Sequence, residues 1–131
     1  MLIYSCCRSF QFYASHPEVG LIIAGGLGSK NVELSEDGIS KRHVVELPKQ
    51  ISAACMVFVN ASTIFMAGGD NAPKETYYLN LETKEWTDGP KMSVERQKHT
   101  CSYVSKPIRR VVIVGGKQKN NQESFALAKS Y

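Results

Sequence analysis

Short runs of apolar residues, rich in Val, Ile, Phe and Tyr, alternate along the chain with clusters of Asn, Ser, Pro and Gly. Runs of this length and composition predict β-strands, and the polar clusters predict the turns between them. No stretch of convincing length carries the three-to-four-residue apolar spacing of an amphipathic helix. The pattern therefore predicts an all-β protein.

The central part of the chain carries this pattern most clearly. Four strands are predicted there, at residues 53–59, 63–67, 75–79 and 84–87. Asn60-Ala61-Ser62 predicts a tight hairpin between the first two strands, and Asp88-Gly89-Pro90 predicts the end of the unit.

An apolar run that ends in two glycines occurs three times. The glycine pairs are Gly25-Gly26, Gly68-Gly69 and Gly115-Gly116. The first and third copies share a further match, because Tyr13–Pro17 and Tyr103–Pro107 stand at the same distance before their glycines. Four short antiparallel strands repeated about every 45 residues are typical of a β-propeller blade.

The middle unit adds Tyr77-Tyr78, Trp86, Gly89-Pro90-x-Met92 and Arg96-x-x-His99 to its glycine pair. With these residues the chain resembles the kelch repeats of β-propeller proteins. The first unit keeps its glycines but has Val44 in the place of Trp86, and the third begins at His99 with a strand predicted near 123–127. The resemblance implies structural roles for the motif residues, which are Gly25, Gly26, Gly68, Gly69, Tyr78, Trp86, His99, Gly115 and Gly116.

The resemblance implies an incomplete kelch-type β-propeller of about three four-stranded antiparallel blades. The blades are predicted at about 8–50, a degenerate copy, about 51–97, a complete copy, and about 98–131, a truncated copy. Even a four-bladed ring needs roughly 180 residues, more than the 131 present. The chain is therefore expected to be either a fragment or half of a ring that two copies close, with self-association through the unpaired blades.

Composition narrows the classes of protein. The net charge of +4, from 16 basic and 12 acidic residues, is spread along the chain, which argues against a nucleic-acid partner. No apolar run approaches the roughly 20 residues of a membrane span, so no membrane partner is expected. The first residues lack a signal-peptide pattern and the four cysteines form no C-x-x-C pair, which favours reduced thiols and a cytoplasmic location.

Three motifs suggest chemistry, and we favour a structural interpretation of each. The segment Gly25-Gly26-Leu27-Gly28-Ser29-Lys30 has neither the glycine spacing of a P-loop nor that of a dinucleotide-binding fingerprint. His99 and Cys101 are interpreted as a repeat-signature histidine beside a small thiol, with Cys55 and Cys101 too far apart for an unstrained disulfide. Arg109-Arg110 is either a basic contact for nucleic acid or acidic lipid or, as we favour, a solvated cap of a hairpin.

Kelch blades also occur in galactose-oxidase-like and mutarotase-like enzymes. Such chemistry needs a copper-ligand set of Tyr and His, or an acid–base cluster, over the channel. The three histidines fall in dissimilar positions and no carboxylate pair stands out. We therefore predict no catalytic residues, no metal and no cofactor. The alternative is a fragment of a secreted carbohydrate-active or oxidase-type kelch propeller enzyme.

Successive loops of an antiparallel blade alternate between its two ends, so the loop after the second strand shares an end with the crossover to the next blade. This end is predicted to bind a partner, and its excess of lysine and arginine favours an acidic protein or peptide. The alternative is that these lysines only keep the loops soluble and bind no partner. The resemblance implies a protein-interaction module, for example a substrate adaptor of a cullin-type ubiquitin ligase. The candidate binding residues are Lys30, Asp70, Asn71, Lys74, Arg96, Lys117 and Asn120.

Overall fold

The computed structural model of the chain describes residues 10–118 and 128–130. Within these ranges the secondary structure consists of strands, without a helix, and so no helix long and apolar enough to cross a bilayer is present there. The strands are β1 (Gln11–His16), β2 (Gly20–Gly25), β3 (Asn31–Ser35), β4 (Arg42–Glu46), β5 (Cys55–Asn60), β6 (Thr63–Ala67), β7 (Thr76–Asn80), β8 (Glu85–Asp88), β9 (Thr100–Val104), β10 (Arg110–Val114) and β11 (Ala128–Ser130).

The strands form three antiparallel sheets, each built from strands that are consecutive in the sequence. The first sheet has the order β1-β2-β3-β4, the second β5-β6-β7-β8 and the third β11-β10-β9. The prediction of an all-β fold is confirmed, as are four antiparallel strands in each of the first two sheets. The third sheet has three described strands, and the strand predicted near 123–127 lies outside the described residues.

The second sheet follows the predicted strands to within two residues at either end. Side-chain oxygens fix both of its hairpins. Asn60 Oδ1 accepts from the amide of Ser62 at 2.9 Å, and Asn80 Oδ1 accepts from the amides of Glu82 and Thr83. These short polar side chains stabilise the turns by bonding to the backbone two or three residues ahead.

The larger core lies between the first and second sheets. Side chains alternate across a strand, so every second residue of β5, β6 and β7 faces this core. Met66 and Leu79 of the second sheet meet Ile22 and Val32 of the first there, and all four are fully buried.

A smaller core lies between the second and third sheets. The alternate residues of the second sheet, including Phe65 and Ala67, pack against Val111 and Ile113 of β10. Tyr78 is half-buried in this core, with its ring edge-on to Phe65 at a centroid distance of 5.2 Å. The second sheet is therefore apolar on both faces, and among the described strands the first and third sheets each pack against the second sheet alone.

Trp86 packs at the edge of the larger core, and its indole N–H donates to the carbonyl oxygen of Glu46 at 2.8 Å. It is half-buried, and its ring lies edge-on to Tyr77. Val44, expected in the equivalent place of the first sheet, faces the same core from the opposite side. That equivalence is wrong, because a register shift between Val32 and Glu33 displaces β4 along β3.

The glycine pairs end β2, β6 and β10 with positive φ angles, as their position in the repeat implies. The second glycine of a pair lies against the crossover that precedes its sheet. A Cβ on Gly69 would stand 2.7 Å from the carbonyl oxygen of Ser52, and one on Gly116 would stand 2.8 Å from that of Gln97. Any side chain there would push the backbone of the crossover away.

The first strands of the three sheets, β1, β5 and β9, lie side by side and are called here the leading strands. A non-glycine residue with positive φ stands just before each of them, namely Phe10, Ala53 and Lys98. The amide of Ala53 donates to the carbonyl of Phe10 at 2.9 Å, and the amide of Lys98 donates to that of Ala53 at 2.8 Å. The same backbone linkage thus occurs at both junctions between sheets.

Cys55 of β5 and Cys101 of β9 form a disulfide. Their Cα atoms are 5.8 Å apart, within the usual range for such a bond. The expectation that these cysteines are too far apart is wrong, because the leading strands β5 and β9 lie side by side where Cys55 and Cys101 stand. The bond joins the second sheet to the third.

Candidate functional site

The loops predicted to share one end of the molecule are joined there by backbone hydrogen bonds. We call this surface the loop end; it comprises residues 26–30, 47–54, 68–75, 89–99 and 115–118. The amide of Leu47 donates to Lys30, that of Asp70 donates to Ser52, and Gln97 and Lys117 exchange two bonds of 3.0 Å. The predicted grouping of loops and crossovers is therefore found among the described residues, whereas residues 119–122 of the third predicted loop lie outside them.

The loop between β6 and β7 lies at the middle of the loop end. Asn71 is exposed, has a φ of 71° and donates from Nδ2 to the carbonyl of Gln50 at 3.0 Å. Lys74 is exposed as well, and its carbonyl accepts from the amide of Met92. Asp70 is half-buried beside Ser52. The candidates Asp70, Asn71 and Lys74 therefore lie together.

Lys49 and Glu75 form an ion pair that sequence reasoning missed. Nζ of Lys49 lies 2.8 Å from Glu75 Oε2, which also accepts from the hydroxyl of Tyr77 at 2.6 Å. Burial alone would raise the pKa of Glu75, but the bonds from Lys49 and Tyr77 and the lysine charge lower it overall. Burial and the neighbouring carboxylate raise the pKa of Tyr77. Lys49, Glu75 and Tyr77 are thus bonded to one another, and the phenol of Tyr77 is neutral.

Lys30 lies at the edge of the loop end, where its ammonium is 4.0 Å from the carboxylate of Glu46. The side chains of Lys30 and Glu46 are 41% and 64% exposed, so solvent screens the pair and it contributes little to stability. It does reduce the free positive charge. Because Lys49 is paired too, the basic bias of this end is smaller than the sequence predicts.

Arg96 is only 4% exposed and therefore stands apart from the other candidate binding residues. Its Nη1 donates to the carbonyl of Gly115 at 2.6 Å, and its backbone bonds with Gly69 and Pro73. The guanidinium joins the second sheet to the third. This burial favours a structural role for Arg96 over the predicted binding role.

Lys117 is half-buried at the far side of the loop end, next to Gln97. It brings the third sheet into the same surface as the loop from β6 to β7. Asn120, the remaining candidate, lies outside the described residues. The loop end thus combines candidate side chains from all three sheets.

His99 is buried, and its Nε2 donates to the carbonyl of Ala67 at 2.8 Å. Burial lowers the pKa of His99, and the charge of Arg96 adds to this effect, while the carbonyls of Ala67 and Gln97 oppose it. A neutral, hydrogen-bonded histidine at this junction suits the structural role that the repeat implies.

No group of three or more His, Cys, Asp or Glu side chains in the described part of the chain is arranged to hold a metal ion. His16 and His43 lie on β1 and β4, away from His99. No protein-family model and no curated protein matches this sequence. The chemistry of the loop end itself, with exposed amide, ammonium and backbone groups, therefore carries the functional interpretation.

Proposed function

We propose that the chain is a protein-interaction module made of kelch-type propeller blades, which binds a partner protein or peptide at the loop end. The observation that carries this proposal is the repeated junction between sheets. Each junction places a loop, a glycine pair and a crossover at the same end, so polar groups from three sheets form one surface. Repeat proteins commonly use such composite surfaces for binding.

The chemistry of the surface favours an acidic segment of the partner. Lys74 and Lys117 supply positive charge, and Asn71 supplies an exposed amide with further hydrogen-bonding capacity. Lys30 and Lys49 face the carboxylates of Glu46 and Glu75 and contribute less. A peptide carrying Asp or Glu would gain a charge-assisted hydrogen bond at the exposed ammonium group of Lys74 and electrostatic attraction from Lys117. One such role is that of a substrate adaptor in a cullin-type ubiquitin ligase.

The test is selection of peptides from a random display library on the immobilised chain. We expect acidic sequences to be enriched and their affinity to fall at least tenfold in the double variant Lys74→Glu, Lys117→Glu. The matched control is Lys84→Glu, Lys106→Glu, which makes the same charge change at the opposite end. Equal binding by the wild type and the loop-end variant would remove the proposal.

The second candidate is a fragment of a secreted carbohydrate-active or oxidase-type kelch propeller enzyme. The Cys55–Cys101 disulfide favours it, because disulfides persist mainly in oxidising compartments. It also weakens the proposal of a cytoplasmic location. Coding sequence upstream of Met1 discriminates the two candidates: a signal peptide supports the secreted enzyme, whereas a BTB domain supports the ligase adaptor.

We also propose that a further blade packs on the third sheet, supplied by a longer protein or by a second copy. Val114 on the outer side of that sheet is 42% exposed, whereas Leu21 and Ile23 on the outer side of the first sheet are buried. Light scattering tests the second copy. Twice the chain mass of 14.5 kDa supports a ring closed by two copies, and a monomer with a cooperative melt contradicts it.

A further inference from the structure

A small pocket opens between the second and third sheets at the end opposite the loop end. It has a volume of about 240 Å³. Its wall contains the turn after β5, the middle of β7 and the hairpin between β9 and β10. The lining residues include Val59, Asn60, Tyr78, Tyr103, Arg109 and Val111.

The polar side chains of this pocket are mainly hydrogen-bond donors. Asn60 Oδ1 already accepts from the amide and hydroxyl of Ser62, which leaves its Nδ2 as a donor. Arg109 is exposed and can only donate. The hydroxyls of Tyr78 and Tyr103 have no hydrogen bond to any residue that the structure describes. Among the described residues, none that lines the pocket carries a carboxylate.

Both arginines of the hairpin line the pocket. Val111 and Ile113 of β10 face the second sheet, so alternation places Arg109, just before the strand, on that side and directs Arg110 toward the outer side of the third sheet. Lys106 of the same hairpin is exposed and is not one of the lining residues, so it serves as the matched cationic control.

From this arrangement we propose that the pocket binds a phosphate monoester. Arg109 pairs with the phosphate oxygens, the two tyrosine hydroxyls and the Asn60 amide donate to them, and Val59 and Val111 contact the organic group. A guanidinium offers two parallel donors to a phosphate, which a phenol alone does not. This site is separate from the loop end and does not depend on the function proposed for it.

The experiment is calorimetric titration of the full chain at pH 7.5 and constant ionic strength, with inorganic phosphate, phenyl phosphate and benzoate as probes. We expect saturable binding of both phosphates, tighter for phenyl phosphate, and at least tenfold weaker binding of benzoate. Arg109→Gln is expected to weaken phenyl phosphate binding at least tenfold, the usual loss for a charge-assisted hydrogen bond. Lys106→Gln, which removes a positive charge outside the pocket lining, is expected to change it less than twofold.

The tyrosines supply a second readout. The double variant Tyr78→Phe, Tyr103→Phe keeps both rings and removes only the hydroxyls, and we expect it to bind phenyl phosphate several-fold more weakly. Three results would overturn the proposal. They are the absence of saturable phosphate binding, benzoate binding as tight as phenyl phosphate, and equal losses in the Arg109 and Lys106 variants.

Discussion

The backbone amide of Lys98 donates to the carbonyl oxygen of Ala53 at 2.8 Å, and both residues have positive φ. Ala53 in turn donates to Phe10, which has the same conformation. A left-handed conformation costs a residue with a side chain about 1–2 kcal/mol. Its recurrence before every leading strand indicates that the junction geometry, rather than the local sequence, fixes this conformation.

The strain at Ala53 predicts how glycine is tolerated there. Ala53→Gly loses a buried methyl group but relieves the left-handed strain, so we expect a change of less than about 0.5 kcal/mol in the free energy of unfolding. Ala54→Gly is the matched control, because its neighbouring methyl is buried without positive φ. It is expected to cost about 1–2 kcal/mol. If urea denaturation gave the same loss in the free energy of unfolding for both variants, the backbone at Ala53 would not be strained.

The Cys55–Cys101 disulfide predicts a dependence of stability on redox state. It closes a loop with a sequence separation of 46, for which chain entropy gives about 4 kcal/mol. We expect the double variant Cys55→Ala, Cys101→Ala to lose about 3–4 kcal/mol, and a dithiol reductant to lower the wild-type urea midpoint. The reductant should leave the midpoint of the double variant unchanged. Identical midpoints of oxidised and reduced wild type would show that the bond is not formed.

The buried imidazole of His99 predicts a loss of stability in mild acid. Because its pKa is lowered in the folded state, the unfolded chain binds the proton first as the pH falls through about 6.5. The free energy of unfolding should therefore decrease from pH 7 to pH 5. His99→Gln is expected to flatten this slope, and His43→Gln, at an exposed position, to preserve it. If the free energy of unfolding of the His99 variant fell with pH as steeply as that of the wild type, the loss of stability in acid would come from another group.

Two substitutions of Trp86 are expected to lower the free energy of unfolding by different amounts. Because the side chain is half-buried, Trp86→Ala should lower it by about 2 kcal/mol, less than the 3–5 kcal/mol typical of a fully buried aromatic residue. Trp86→Phe keeps most of the contact with Tyr77 but removes the bond to Glu46, at an expected cost of about 1 kcal/mol. Chemical denaturation measures both. Equal losses in the two variants would mean that the ring contributes nothing to packing.

Local patterns predicted much of the fold. The apolar runs located the strands of the second sheet, and Asn60 and Asn80 bond to their own turns, so their signal is contained in a few adjacent residues. The glycine pairs predicted the period of the repeat. All these features depend on interactions over short sequence separations or on backbone sterics.

Contacts between sheets were not predicted. Three such contacts join residues from different sheets or crossovers. They are the Cys55–Cys101 disulfide, the Lys49–Glu75 ion pair and the hydrogen bond from buried Arg96 to Gly115. Their formation depends on how closely the leading strands and crossovers approach, which no residue pattern within one unit specifies. Charge counting consequently overestimated the basic character of the loop end.

The central claim is that the loop end binds an acidic partner segment, and residue-resolved mapping tests it most directly. The experiment is amide NMR titration of the ¹⁵N-labelled chain with the acidic peptides recovered by display. We predict that shift changes concentrate in residues 68–75 and 115–118 and disappear in the Lys74→Glu, Lys117→Glu variant. Shift changes concentrated at the opposite end, in residues 16–20 and 81–84, would contradict the account.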